Sequence, residues 1–405
     1  MKIALVHNLN PGGAKRAIYE LARCLTHQGH TVDVYQLSIT DDWFLPLTPY
    51  VNRVITSEIE AFRLWQTRLL PFVIQYLNYP RKISYLRKLE RLYAAMARDI
   101  DRQQYDVVFV HPCKVVKTPY VLRYLQTPSV FYCHDEPPQI VRYLPGVYRK
   151  RLTKKQKIQN IWYAPINWAY QQRVFRDDRK NAQAATLMLA NSYFIREAIY
   201  RAYQRDARVN YLGVDTQKFC PEPIAKEPIV LAVGRTYPEK GYDFLIQALA
   251  YIPATRRPRL VILADMRDPR EEQYFARLAQ EKQVEFTIQS VFSDPELVRW
   301  YCQAQLFVYG ARMEPFGLAP LEAMACGLPV VAVKEGGVRE TILDGQTGFL
   351  TQRDPQEFAE KVRLLLENSA LRRQYGEQAR RYVETSWTWE RSGQELLENF
   401  RRVCP

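Results

Sequence analysis

The sequence predicts an α/β protein built from two doubly wound, Rossmann-like domains. Three observations predict it. A chain of 405 residues is long enough for two domains that each bury a core. Short apolar runs alternate with helix-period segments in both halves, the pattern of parallel strands joined by crossover helices. Between the halves, near Tyr211-Leu212-Gly213-Val214-Asp215, three prolines (Pro221, Pro223 and Pro228) crowd a short interval and mark a linker.

The first half opens with an apolar run at Lys2–Val6, a loop through Gly12 and Gly13, and a helical pattern from Lys15 to Gln28. The two glycines serve either a close backbone approach to a ligand or a plain tight turn. A strand at Thr31–Gln36 precedes a long aromatic and basic region. Strands at Val107–Val110 and Val130–Cys133 follow, then a helical stretch over 139–183 and a strand at Thr186–Leu189. Asn191 and Ser192 are placed to cap the next helix. The second half begins with a strand at Ile229–Val233, then Gly234-Arg235, and Lys240-Gly241 before a helix. Further strands are expected near Arg259–Ala264, Val284–Thr287, Leu306–Val308 and Val330–Val333. Helices from Pro355 to Thr385 precede Trp387, Trp389 and a last helix to Val403.

Composition narrows the chemistry. Lys plus Arg exceed Asp plus Glu by 57 to 43, a formal charge of +14, which points to anionic partners. No nucleic-acid recognition module accompanies that charge, so no nucleic-acid partner is expected. The seven scattered cysteines form no C-x-x-C pair and fit a reducing compartment. No leader and no apolar run of spanning length is evident, and the reading is of a cytoplasmic protein. G-x-G-x-x-G is absent, which argues against an NAD-type dehydrogenase. The single Asp-x-Asp, Asp99-Ile100-Asp101, reads as a surface feature at a helix end, so no metal is expected. His7, His111 and His134 each end a strand of the first half and would gather on the C-terminal edge of one sheet. Their spacing makes no local chelate.

The stretch from Arg312 to Gly348 carries the most chemistry. Glu314 and Glu322 have seven residues between them, including Phe316-Gly317. A helix is expected from Pro320 to about Ala325, with Glu322 in its first turn, a left-handed cap at Gly327 and a strand at Val330–Val333. Gly336 and Gly337 read as a turn that lets backbone approach a ligand, before a second helix near Val338. Two helix N-termini flanking one strand make an anion site into which a diphosphate would fit. Arg235 and Lys240 offer a planar fork and a point charge at a strand end of the same half.

Glu-x7-Glu around Phe316-Gly317, Gly327-Leu328-Pro329-Val330-Val331, and Gly336-Gly337-Val338-Arg339-Glu340 together resemble the retaining group 1, family 4 glycosyltransferases of the GT-B fold. The resemblance implies two domains facing each other across a cleft: an acceptor-side domain over 1–212 and a donor domain over 213–388. It also implies a C-terminal helix, 389–405, that crosses back to the first domain. It assigns donor diphosphate binding to Arg235, Lys240 and the backbone at Gly317, Leu318 and Ala319, the ribose to Glu322, and catalysis to Glu314 and His134. Gly12 and Gly13 would form the loop that faces donor or acceptor. Many members carry an acid two residues after the second glycine, where this chain has Lys15 followed by Arg16. The implied activity is retaining, metal-independent transfer from a nucleoside-diphosphate sugar to a glycan or lipid-linked glycan, with no cofactor. Rival readings are a sugar-nucleotide epimerase of the same fold and an inactive nucleotide-sugar-binding protein. Aromatic and cationic residues in segments 62–91 and 142–157 suggest docking of the first domain on an anionic membrane, at its inner face.

Overall fold

A computed structural model gives the structure, which describes residues 1–40, 44–65, 71–141, 154–291 and 293–404; for 71–73, 75, 141 and 154–160 it describes the backbone alone. The chain forms two compact units, Met1–Asn210 with Gly393–Pro405, and Tyr211–Ser392. The divisions fall at 210/211 and 392/393, against the expected 212/213 and 388/389.

In the first unit the strands are β1 (Lys2–Asn8), β2 (Thr31–Leu37), β3 (Arg53–Ser57), β4 (Val107–Cys113), β5 (Ser129–Cys133), β6 (Leu187–Ala190) and β7 (Arg208–Val209). They form one parallel sheet in the order β3-β2-β1-β4-β5-β6-β7. Central strands covered on both faces must be apolar throughout, and Ile3–Val6 and Val107–Val110 are fully buried accordingly. Helix α1 (Gly13–His27) is the first crossover, and α2 (Pro71–Arg102) packs on α3 (Lys154–Ala184). Ser192 caps α4 (Tyr193–Tyr203), its hydroxyl accepting from the Ile195 N–H. The C-terminal segment belongs to this unit: Phe400 meets Phe109 edge to face, with centroids 5.2 Å apart.

The second unit repeats the plan with β8 (Ile229–Val233), β9 (Arg259–Leu263), β10 (Phe286–Gln289), β11 (Leu306–Tyr309), β12 (Val330–Val333) and β13 (Gly348–Thr351), ordered β10-β9-β8-β11-β12-β13 and parallel. Its helices include α5 (Tyr242–Leu249), α6 (Pro269–Lys282), α7 (Asp294–Gln303), α8 (Leu318–Ala325), α9 (Val338–Thr341), α10 (Pro355–Glu367), α11 (Ser369–Ser386) and α12 (Trp389–Arg401), the last of which continues into the first unit. The Gly213 backbone runs against Thr388 and Trp389, where a Cβ would lie 2.4 Å from backbone atoms.

Both sheets reverse direction beside their first strand, between β1 and β4 and between β8 and β11. Such switch points open a crevice at the strands' C-terminal ends. Three strands among the described residues were not anticipated: β3 and β7, which are short edge pieces, and β13, whose Gly348 is there because a Cβ would meet the Val330 carbonyl oxygen at 2.0 Å. Asp99 and Asp101 do end a helix, but they are not a free surface feature. Asp99 accepts from the Tyr35 hydroxyl at 2.9 Å, and Asp101 caps the backbone of Gln126 and Thr127.

Candidate active site

In the second unit the site assembles at the switch point. β8 ends at Gly234-Arg235, where Gly234 takes φ 144° and its carbonyl accepts from the Tyr242 hydroxyl at 2.8 Å. One helical turn then brings Lys240 to Gly241. With φ 67°, Gly241 passes so close to Gly310 that a Cβ would lie 2.0 Å from that carbonyl oxygen. The neighbouring strand β11 ends at Tyr309, and its loop carries Glu314. Lys240 Nζ donates to Glu314 Oε2 at 2.7 Å, both side chains about one-fifth exposed. The Tyr309 hydroxyl also engages this carboxylate; burial, then the charge of Glu314, raises the pKa of that phenol well above its ordinary value.

What holds the Glu314 loop is backbone packing. The Gly337 N–H donates to the Glu314 carbonyl at 2.8 Å, and a Cβ on Gly336, at φ 63°, would lie 2.3 Å from the same oxygen. The two glycines thus bring backbone into close contact with the site loop. Arg353, at the end of β13, grips the other side. It donates to the Gly310 and Ala311 carbonyls at 2.9 Å and forks onto Glu335 at 2.7 and 2.8 Å. That fork, after burial has pushed the other way, holds the Glu335 carboxyl below its usual range. Arg353 and Glu335 carry no motif signal, because only folding brings β12, β13 and the β11 loop side by side.

Helix α8 begins at Leu318, not Pro320. Gly317 is its left-handed cap at φ 93°, and a Cβ there would crowd Val338 at 2.9 Å. The N–H groups of Leu318 and Ala319 point out of the first turn without an intrahelical acceptor, and Pro320 has none. The earlier start puts Glu322 beyond the first turn. There it is 6% exposed and accepts from the Tyr301 hydroxyl at 3.1 Å. Arg235 stands half-buried on the strand end beside this arrangement.

In the first unit His7, His111 and His134 do gather on adjacent strand ends. His111 Nδ1 and His134 Nε2 are 2.9 Å apart, with rings stacked 8° from parallel. All three are buried, and burial lowers each pKa, that of His134 to about 4. The Asn191 amide donates to the His134 carbonyl at 2.9 Å. Gly12 caps α1 at φ 142° and Gly13 is its first residue. Lys15, standing where an acid was the expected pattern, is wholly buried and adds to the lowering at His7. Among the described residues no group of three His, Cys, Asp or Glu could hold a metal ion.

Residues 11–218, just over half of the chain, match the family described as Glycosyltransferase Family 4. The chain belongs to glycosyltransferase family 4. Residues 214–382 match Glycosyl transferases group 1, a range that takes in Arg235, Lys240, Glu314 and Glu322. Among curated relatives, the GDP-mannose-dependent alpha-(1-6)-phosphatidylinositol monomannoside mannosyltransferase of Mycolicibacterium smegmatis is 29% identical over 54% of this chain and 63% of its own length. D-inositol 3-phosphate glycosyltransferase 2 of Catenulispora acidiphila is 32% identical over 48% of this chain and 51% of its own. The chain thus spans about half to two thirds of the length of these two curated relatives. Solved structures extend the likeness to nearly the whole chain as fold alone. Anabaena HepE, in complex with UDP and glucose, superposes with a TM-score of 0.72 at 20% identity, covering 99% of this chain and 100% of its own. Sucrose-phosphate synthase from Thermosynechococcus elongatus gives 0.70 at 21%, covering 99% and 98%. The two parallel-sheet units are those of the GT-B fold.

Proposed function

We propose that the chain transfers a sugar from a nucleoside-diphosphate-sugar to a glycan or lipid-linked acceptor, with retention of anomeric configuration and without a metal ion. The observation that carries this reading is the contact of Lys240 with Glu314 at the crevice of the second unit, on the loop that leads into α8 at Leu318. Breaking a sugar–diphosphate bond builds negative charge on phosphate and positive charge on the anomeric carbon. Arg235, Lys240 and the N–H groups of Leu318 and Ala319 oppose the first, and preorganised donors of this kind are worth several kcal/mol. Glu314 serves the sugar ring, and Glu322, its rotamer fixed by Tyr301, the ribose. His134, a neutral imidazole, is assigned to sugar transfer, and Gly12 and Gly13 to the donor or acceptor loop.

Names among the relatives support a nucleotide-sugar donor and divide over its base: one is GDP-mannose-dependent, while a structural neighbour is complexed with UDP. No helix among the described residues is long and apolar enough to cross a membrane. We place the protein in the cytoplasm, peripheral to an anionic inner membrane face. The test is incubation with a panel of sugar nucleotides, following donor hydrolysis and, with acceptor, the product's anomeric configuration by NMR. Turnover with retention is expected. Inversion, or isomerised donor without transfer, would overturn the reading. EDTA should change the rate little; full loss restored by a divalent ion would refute metal independence.

A further inference from the structure

A second cavity of about 680 Å³ lies wholly in the first unit. It opens at the C-terminal ends of β2 and β4, the strands flanking β1, and Ser38–Thr40 and Lys114-Val115 form its floor. That floor is fixed to the end of β1: Thr40 Oγ1 donates to Asn8 Oδ1 at 3.1 Å and the Lys114 N–H to the Asn8 carbonyl at 2.8 Å. The walls come from Phe62, from Lys82 and Tyr85 of α2, and from Tyr170 of α3. The volume is that of a small-molecule site.

Its polar lining is one-sided. Among the described residues its lining has two lysines and no acid. Lys114 is held by the Ile39 carbonyl. Lys82 is half-buried over the Tyr170 ring, 5.2 Å from its centroid, and pairs with no carboxylate among the described residues. The hydroxyls of Tyr85 and Tyr170, both half-buried, have no hydrogen-bond partner among those residues either. Withdrawing an ammonium from water without a counter-charge is costly, and a ring face returns only about 0.5–2 kcal/mol. A sugar's hydroxyls each donate as well as accept, so a sugar subsite ordinarily brings carboxylate or amide acceptors. This wall presents one ammonium, which only donates, and two phenols that are free to donate beside it. A group that only accepts, and carries negative charge, is what they complement.

We propose that this cavity binds a phosphate group of the acceptor, with Lys82, Tyr85 and Tyr170 as its donors, so that the enzyme selects phosphorylated acceptors. The proposal rests on the transferase reading above but is testable apart from it. Inorganic pyrophosphate titrated calorimetrically into the full chain should occupy two sites. Lys82→Met should remove one and Lys240→Met the other, with Lys82→Arg and Tyr170→Phe keeping weakened binding at the first. A titration unchanged by Lys82→Met overturns the proposal, whether or not any donor is turned over. With the donor from the panel, matched phosphorylated and neutral acceptors are compared in two arms, soluble sugar phosphates and vesicles carrying a polyprenyl-diphosphate sugar. The phosphorylated acceptor of one arm should be preferred, which identifies the source. Lys82→Met should then raise its KM at least tenfold, with a much smaller change in kcat. Equal use of neutral and phosphorylated acceptors in both arms overturns the selectivity.

Discussion

At the scale of single residues, Lys240 pairs with Glu314 at 2.7 Å, and under the proposed function that pairing would tie diphosphate recognition to the reacting centre. Lys240→Ala and Arg235→Ala should each slow turnover at least tenfold, about 1.4 kcal/mol. Glu314→Gln should lower kcat more than it weakens nucleoside diphosphate binding, and Glu322→Gln the reverse. Equal losses of affinity in the two glutamine variants would refute the division of roles. A second prediction concerns the histidines. His134, at about 4, and His7 and His111, also lowered by burial, stay neutral in the fold at pH values where the unfolded chain, near 6.5, takes up protons. The unfolded state then binds more protons, so stability should fall as pH drops from about 6.5 toward 4. His7 faces only the cation of Lys15 in this balance, whereas Asp135 opposes the shift at His134. Urea midpoints across this window should decline less steeply in His7→Gln; parallel slopes would count against it. Glu314, Glu322, Arg235 and Lys240 were legible in the sequence because charged residues beside glycines and helix starts mark strand-end loops. Arg353, Glu335 and Tyr309 were not, because each matters only through a neighbour distant in the chain.

At the scale of elements, the site depends on backbone touching backbone. Gly241 lies on Gly310, and Gly336 on the Glu314 loop, both with positive φ and with no room for a Cβ. Gly336→Ala should therefore lower the melting temperature and weaken nucleotide binding together. Gly345, also at φ 72° but with nothing within 4 Å of a Cβ, should tolerate alanine with a smaller loss and with binding intact. Equal effects of the two on binding would show that φ, and not the contact, controls the site. The start of α8 shows why element ends are hard to read. Proline suits a first helical turn, but the left-handed Gly317 let the helix begin two residues sooner, which moved Glu322 inward. The strand expected at Val284–Thr287 likewise settled at Phe286–Gln289, since its register is set by β9 and not by its own apolar residues.

At the scale of the molecule, the first unit exposes an aromatic surface. Trp65, Trp162 and Trp168 are 54%, 62% and 60% exposed, and the Tyr76 hydroxyl donates to the Trp162 carbonyl at 2.9 Å, joining α2 to α3. Arg81 lies over the Trp65 ring at 4.1 Å, and Asn78 holds the Trp65 backbone at both ends. Aromatic and cationic side chains on a helical surface suit the headgroup region of an acidic bilayer. The basic segment 142–157 lies almost entirely outside the described residues. The protein should bind anionic vesicles more tightly than neutral ones, less tightly as salt rises, and more weakly after Trp162→Ser or reversal of Arg149, Lys150, Lys154 and Lys155 to Glu. Equal partitioning onto both kinds of vesicle, or none onto either, would leave a soluble acceptor as the better reading.

The sequence alone determined that there are two doubly wound units and which loops carry charge, because hydrophobic period, glycine and proline act locally and leave their mark residue by residue. Tertiary structure alone decided strand order, which sets Lys240 against Glu314 at a switch point and His111 against His134 on the neighbouring strands β4 and β5. It also decided that Glu322 and Lys15 would be buried and that Arg353 would brace the site loop. Burial and through-space contact depend on which strands become neighbours, and that choice is made by the packing of whole elements, which no short stretch of chain encodes.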